Sequence, residues 1–453
     1  MKLNKKLLAT GVLAASLFAG QAWGAVSAEE AAKLGDTLTP MGAERAGNGG
    51  DIPDWTGGMT TPPEGYKGDG IYINPFPNEQ PKFVIDQSNV DQYADKLSPG
   101  QIAMIRQYPN YKMPVYPTHR TAVYPQNIMD ETVKNATRSE LIQNGNGIGN
   151  YENATPFPIP QNGLEVIWNH ITRYRGGSVQ RNIGQVTPTA NGAYSVVQFQ
   201  DELTWNRYLA DYEPGQDDNV LFYFKQAITA PARLAGNVLL VHETLDQVKE
   251  PRRAWVYNAG QRRVRRAPQV AYDGPGTASD GMRTSDNLDM FNGAPDRYNW
   301  ELLGKKEMYI PYNSYELVDR NLSYDDIIKA GHINQNLTRY ELHRVWHVRA
   351  TLKDGERHVY AQRDFYIDED TWQAAVIDHY DGRGELWRVA EAHSMQFYDQ
   401  DVPWYALEVL YDLLSGRYLA LGLTNEESNP YSFGVERYSR DYTPAALRRA
   451  GTR

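Results

Sequence analysis

The clearest pattern in the chain is the stretch 237–268, NVLLVHETLDQVKEPRRAWVYNAGQRRVRRAP. Its first ten residues are rich in strand formers, and the linker QVKEP closes on a proline that cannot donate to a ladder. Residues 252–257 then rise into a turn at Asn258-Ala259-Gly260, and 262–267 return. The stretch predicts two strands and the start of a third. Similar units recur to about residue 424, so the chain specifies a large antiparallel sheet with a wide face to fill.

The sheet is expected to begin near Leu164, in LEVIWNHITRYRGG. A hairpin follows about Asn191-Gly192, a dipeptide suited to a type I′ turn, and 220–229 pairs with 237–246. Residues 301–312 return as a strand. In the hairpin 341–367 the natural turn is Asp354-Gly355. Centring it there pairs Ala350 with Val359, Val348 with Ala361 and Trp346 with Arg363, and sets Arg344 opposite Phe365. These side chains share one face because the strand period is two, while His343, His347, Arg349, Tyr360, Gln362 and Tyr366 make a wetter one. A further hairpin turns at Asp381-Gly382-Arg383-Gly384, and 401–423 reads as a helix followed by a strand.

Helical signals lie mostly outside this region. Ser27 caps 27–35 with Glu30 at the capping-box position. Residues 88–108 read as two helical pieces broken at Ser98-Pro99-Gly100, and 137–143 as a helix ending in the glycine-rich loop 144–150. Ser323 caps a short helix over 323–331, and 443–450 closes the chain as another. The segment 40–81 is rich in Gly and Pro and carries Trp55, Tyr66, Tyr72 and Phe76, which predicts a strap across a surface. Residues 25–160 therefore form an N-terminal arm of helices and Pro/Gly/Tyr-rich coil, and 161–453 a sheet domain with a helical lid. Within it, 273–297 is a long polar loop with few apolar anchors, a length that marks function or mobility.

Composition narrows the function. With 453 residues, 41% apolar and 23% charged, the chain can bury a full core. Residues 1–24 read as a secretory signal: Lys2, Lys5 and Lys6 precede the apolar run 7–19, and Ala22-Trp23-Gly24 offers small residues for cleavage. The run is too short to span a membrane stably, and no later segment matches its length without charges. Loss of the three lysines moves the net charge from −10 to −13, which argues against nucleic-acid binding and adsorption to anionic lipid. Cysteine is absent, which excludes disulfides, thiol catalysis and a thiol-linked lipid anchor. The mature protein is expected to be soluble and exported.

Motifs of chemistry are few. His343 and His347 lie on a predicted strand about 13 Å apart, so they do not make a metal pair. The run Arg262–Arg266 is split between two sides of a strand, and pairing with neighbouring Asp and Glu is expected. Asp364, Asp368, Asp370, Asp378 and Asp381 supply carboxylate pairs for a glycosidase, but 368–370 and 381–382 sit where turns are needed. No nucleophile elbow, phosphate loop or dinucleotide fingerprint occurs. Arg344 and Arg363 are sharper, because the register places both on an otherwise apolar face beside Trp346 and Phe365. Either carboxylates meet them, or the face opens to an amphiphile with an acidic head, or this end is exposed and the stems snorkel.

The segments AWVYNAGQRRVRRAPQVAYDGP, DGMRTSDNLDMFNGAPDRYNWELLGKKEMYIPYNSY and YDGRGELWR, with DIPDWTGG near the start, resemble a Gram-negative periplasmic family, domain of unknown function family 1329. The similarity covers nearly all of the mature chain. Members of that family are similar to the lipoprotein carriers LolA and LolB, which implies a strongly curved antiparallel sheet, an incomplete barrel, closed by helices. The resemblance further implies outer-membrane lipoprotein sorting, acyl chains on the concave face, and a resistance-nodulation-division type exporter and an outer-membrane protein as partners. It implies no catalytic residues.

The sequence thus predicts an α+β fold, a large curved antiparallel sheet covered by helices and the arm, serving as a non-enzymatic periplasmic carrier of a lipid, lipoprotein acyl chain or other hydrophobic molecule. Trp346, Val348, Ala361 and Phe365 are expected to line the ligand site, with Arg344 and Arg363 reading a polar head. No cofactor or metal is expected. The alternatives are an exporter adaptor without a cavity, and a hydrolase of glycans or lipids.

Overall fold

The computed structural model describes residues 25–215, 219–267, 270 and 272–451, so the expected signal segment lies outside the described residues. In chain order the strands are β1 Phe83–Ile85, β2 Met113–Val115, β3 Glu140–Ile142, β4 Gly147–Gly149, β5 Ser178–Val186, β6 Val197–Trp205, β7 Val220–Ala230, β8 Val238–Thr244 and β9 Arg253–Asn258. They continue as β10 Arg263–Arg266, β11 Tyr298–Pro311, β12 Tyr340–Leu352, β13 Gln362–Asp368, β14 Ala374–Tyr380, β15 Leu386–Phe397, β16 Val402–Asp412, β17 Arg417–Leu423 and β18 Tyr431–Phe433. The α-helices are α1 Ala28–Ala31, α2 Pro99–Gln107, α3 Gln126–Asn135, α4 Gly163–Thr172, α5 Tyr324–Ile327 and α6 Pro444–Gly451.

Apart from the small β3–β4 hairpin, the strands form one sheet in the order β11-β12-β13-β14-β15-β16-β17-β5-β6-β7-β8-β9-β10, antiparallel at every step. The arm adds β1 and β2 beside β12, and β18 pairs with β5. The sheet does not close into a barrel. Edge strand β10 carries Arg263, Arg265 and Arg266 exposed to solvent, and no ion pair reaches them among the described residues. The expected pairing with Asp and Glu gives way to a charged edge, which discourages strand addition.

Both faces of the central strands are buried. On the inner face α4 is the centre: Val166, Ile167, Trp168 and Ile171 pack with Leu203, Phe222 and Val241 from β6–β8 and with Val348, Phe365 and Ile377 from β12–β14. The helix lies against β11 and β12, and one continuous core links it to β6–β8. On the outer face the arm lays Ile85, Leu97, Met104, Ile105 and Met113 against Val345, Tyr366, Val376, Val389 and Val409. Side chains of this size contribute about 1.5–3 kcal/mol each when fully buried. The arm seats closely. A Cβ at Gly100, at the start of α2, would overlap the Asp378 carboxylate, and one at Gly42 would overlap the Pro158 carbonyl.

Three expected elements differ. LEVIWNHITRYRGG does not open the sheet; its first nine residues fall in α4, whose N-cap Asn162 accepts from the Glu165 N–H at 3.0 Å. Every residue of α4 but Leu164 is buried, although Glu165, Asn169 and Thr172 stand at helical spacing opposite Leu164, Ile167, Trp168 and Ile171. Residues 401–423 hold no helix but the strands β16 and β17. β16 is buried at all eleven positions, which removes the alternation that betrays a strand. The helix expected over 137–143 lies earlier, as α3, and 140–142 is strand β3.

The hairpin register also differs. Val348 pairs with Phe365, Ala350 with Arg363 and Trp346 with Ile367. Asp354-Gly355 sits inside a longer connection that the bond from Leu352 N–H to Ala361 O closes. The slip is four residues, an even number, so Trp346, Val348, Ala350, Arg363 and Phe365 still share a face. The opposite face is not wetter: His343 and Tyr366 are buried, and Tyr360 packs against Arg363.

Candidate functional site

Inner-facing residues of β5–β8 do not reach α4 everywhere. Between them and the loop 273–297 lies a cavity of about 170 Å³. Its floor is apolar, from Val179, Leu203, Phe222, Phe224, Leu239 and Val241, and Trp404 and Tyr405 of β16 form a side wall. The roof is the loop, through Pro275, Gly276, Arg283, Ser285 and Leu288. At Val256 and Thr277 the cavity adjoins an open groove of about 830 Å³ that runs past the ends of β6–β9.

The loop is held by buried apolar anchors, Met282, Met290 and Phe291, contrary to the expectation of few, and by buried polar ones. Asp286 pairs with Arg363 at 2.6 Å and His358 at 3.0 Å, and Asn287 meets His379 at 2.9 Å. Asn292 donates to Glu243 at 2.9 Å. Asp289 receives both Arg173 and Arg175, which leave the end of α4 on the way to β5, and Trp404 Nε1 donates to it at 3.2 Å. Burial alone would raise the Asp286 and Asp289 carboxyls. The facing cations outweigh it and hold both below the usual range.

Four guanidinium groups line the cavity. Arg175 is paired through Asp289. Arg181 reaches Asp201 at 3.0 Å and the Tyr405 hydroxyl at 3.2 Å and lies over the Trp404 ring at 4.3 Å. Arg252 pairs with Glu243 at 2.7 Å and donates to the Val270 carbonyl at 2.8 Å. Arg283 is 3% exposed, and its Nε and Nη1 find no acceptor among the described residues. With Arg173, five buried guanidiniums here meet three ion-paired carboxylates, Asp201, Asp289 and Glu243. Glu408, also inside, is pushed up to about 7 by burial against the pull of Arg283. The interior is therefore electropositive in an acidic protein.

None of the six sequence-predicted ligand residues lines this cavity. Val348 and Phe365 are packed in the inner core, and Trp346 stacks near Trp372 with Lys305 over its ring at 4.6 Å. Ala361 precedes β13. Carboxylates meet both arginines: Arg344 reaches Glu369 at 3.3 Å and Glu44 at 3.5 Å, and Arg363 serves Asp286 as the loop's anchor. His343 bonds Glu341 at 3.0 Å and His347 bonds Asp364 at 3.2 Å, so the two histidines do not converge. His343, Asp368 and Asp370 bring donor atoms within 4.8 Å of one another, but Arg120 occupies both oxygens of Asp370, at 2.9 and 2.6 Å.

The cavity arginines escaped the sequence reading because strand register and the helix–strand join at 172–178 decide which of them turn inward. The one local signal was the loop itself, where Asp286 and Asp289 stand at helical spacing without helical context.

The family described as protein of unknown function (DUF1329) matches residues 84–448. The chain is similar to the uncharacterized protein PA3922 of Pseudomonas aeruginosa, at 67% identity over 455 residues covering 100% of both. Among solved structures it is similar to a domain named for outer membrane lipoprotein sorting from Vibrio parahaemolyticus, at 13% identity and TM-score 0.43 over 63% of this chain and 98% of that one. It is similar also to a DUF1329 family protein from Desulfovibrio piger, at 13% and 0.41 over 60% and 92%. A third is the LolA superfamily protein NE2245 from Nitrosomonas europaea, at 14% and 0.38 over 62% and 98%. No helix among the described residues is long and apolar enough to cross a membrane.

Proposed function

The chain belongs to the family of proteins of unknown function DUF1329, and from that premise we propose that it is a binding protein that carries a hydrophobic or amphiphilic molecule inside its curved sheet. The observation that carries this reading is the cavity between the apolar inner face of β5–β8 and the loop 273–297. A dry cavity of about 150 Å³ admits a benzene-sized group, so a volume of about 170 Å³ takes a ring or part of one acyl chain. The adjoining groove receives the remainder. Each methylene leaving water for this floor contributes about 0.8 kcal/mol. No covalent step is part of the proposal.

The basic and then apolar N-terminal stretch supports export to the periplasm. The family resemblance supports a place in envelope transport beside a resistance-nodulation-division type exporter and an outer-membrane protein. The test is native mass spectrometry of the protein purified from periplasm without detergent, followed by solvent extraction. A co-purifying lipid or apolar metabolite is the expected result. A clean apo mass, with no uptake of a neutral polarity-sensitive dye, would overturn the reading.

A further inference from the structure

Among the guanidiniums of the cavity, Arg283 alone has no carboxylate within ion-pair distance among the described residues, although Glu408 and Asp201 lie near enough to feel its charge. Arg175, Arg181 and Arg252 each have one within ion-pair distance. Arg283 is equally buried, lines the cavity roof, and leaves Nε and Nη1 without acceptors. Its backbone is fixed: the Gly276 N–H donates to the Arg283 carbonyl at 2.9 Å, and Pro275 bridges Thr284. The side chain is thus presented by a braced turn, not by a loose loop. A buried guanidinium with N–H groups lacking acceptors is costly, and an anion whose oxygens accept from it offsets that cost.

We infer that the ligand is an amphiphile with a single anionic head, carboxylate or phosphate, and that Arg283 is the residue that reads the head while the β5–β8 floor takes the apolar part. This rests on the binding-protein reading above. The site's own carboxylates do not fill the role. Asp201 is committed to Arg181 and Gln226, Asp289 to Arg173 and Arg175, and Glu243 to Arg252 and Asn292. Glu408 feels the charge of Arg283 but forms no ion pair with it among the described residues, and burial pushes its carboxyl up to about 7.

The test uses the full mature chain and displacement of the neutral dye Nile red by dodecanol, dodecanoate and dodecyl phosphate below their micelle concentrations, with acetate and inorganic phosphate as chain-free controls. The wild type is expected to bind the two anionic amphiphiles at least tenfold more tightly than the alcohol, and the chain-free anions at least a hundredfold more weakly than their amphiphiles. Arg283→Met, which keeps the stem and removes the charge, is expected to bind all three amphiphiles as the wild type binds the alcohol. It is also expected to melt no lower than the wild type, since it removes an unpaired buried charge. Arg283→Lys is expected to keep part of the preference. Equal binding of acid and alcohol by the wild type, or an undiminished preference in Arg283→Met, would overturn the inference and leave the carrier reading standing. Tight binding of phosphate or acetate alone would replace the amphiphile by a free anion. Failure of the dye and of all three amphiphiles to bind would overturn both readings.

Discussion

His170 accepts a hydrogen bond from the Ala374 backbone N–H at 3.0 Å through Nδ1, tying the buried helix α4 to strand β14. Nδ1 also lies 3.0 Å from the Trp372 carbonyl and 3.3 Å from Arg173 Nη1, while Nε2 lies 3.1 Å from the Asp289 carbonyl. Two donors on Nδ1 and an acceptor at Nε2 put the proton on Nε2. One neutral imidazole thereby joins the central helix, the sheet and the cavity roof.

Protonating that imidazole would place a second hydrogen against the Ala374 N–H and beside Arg173. Burial, with Arg173 adding to it, pushes His170 down to about 3 from its ordinary 6.5. The unfolded chain therefore binds the proton first as pH falls. The stability tied to His170 is complete above about 6.5 and is lost progressively toward 3, by up to roughly 5 kcal/mol. His170→Asn should be less stable at pH 7 and show a shallower loss between pH 6.5 and 4 in urea titrations. Parallel pH profiles for the two proteins would count against the assignment.

Asp289 is the shared counter-ion of Arg173 and Arg175. Asp289→Asn keeps the shape and leaves two guanidiniums buried without charge compensation. Breaking such a pair costs about 3–5 kcal/mol. The expected outcome is a loss of that size in chemical denaturation, with the roof loop opening to proteolysis before the sheet does. A loss below 1 kcal/mol would mean that solvent reaches the two arginines.

The sheet was legible in the sequence wherever one face meets water or a turn is spelled out, as at Asn191-Gly192 and 381–384. The fold class followed from those units. It was illegible at β16, where burial at every position erases the alternation. At α4 the Asn162–Glu165 cap and the apolar spacing 164, 167, 168, 171 marked a helix, but Val166, Ile167 and Trp168 in a row also read as a strand. Arg363 shows the same limit for the site. Parity placed it correctly on the inner face, but its partner Asp286 is 77 residues away in a loop. Which inward arginine keeps a free guanidinium depends on such long-range pairing, and no local pattern encodes it.

Glu391 lies in the core where the arm crosses the outer face. It accepts from the Tyr340 hydroxyl at 3.0 Å, from Tyr111 at 3.3 Å and from Gln101 Nε2 at 3.3 Å, with no ion pair to a Lys or Arg among the described residues. Burial pushes it up to about 7 from 4.5, in spite of those bonds. Here the folded state holds the proton longer than the unfolded one. Stability tied to Glu391 is complete below about 4.5 and declines as pH rises to 7, by up to roughly 3 kcal/mol. Glu391→Gln should gain on the wild type across that window, and a pH-independent difference would sink the argument.

Leu239 of β8 lines the cavity and is only partly buried, at the margin of the inner core. In a filled core, enlarging such a residue costs about 1–3 kcal/mol through overpacking. In an empty ligand cavity the added indole of Leu239→Trp occupies free volume. The melting temperature is then expected to stay level or rise, while Nile red uptake falls at least tenfold. Val248→Trp, at a position 58% exposed, serves as the control and should change neither. A destabilised Leu239→Trp that still takes up the dye would place the binding volume elsewhere, in the groove past Val256 and Thr277.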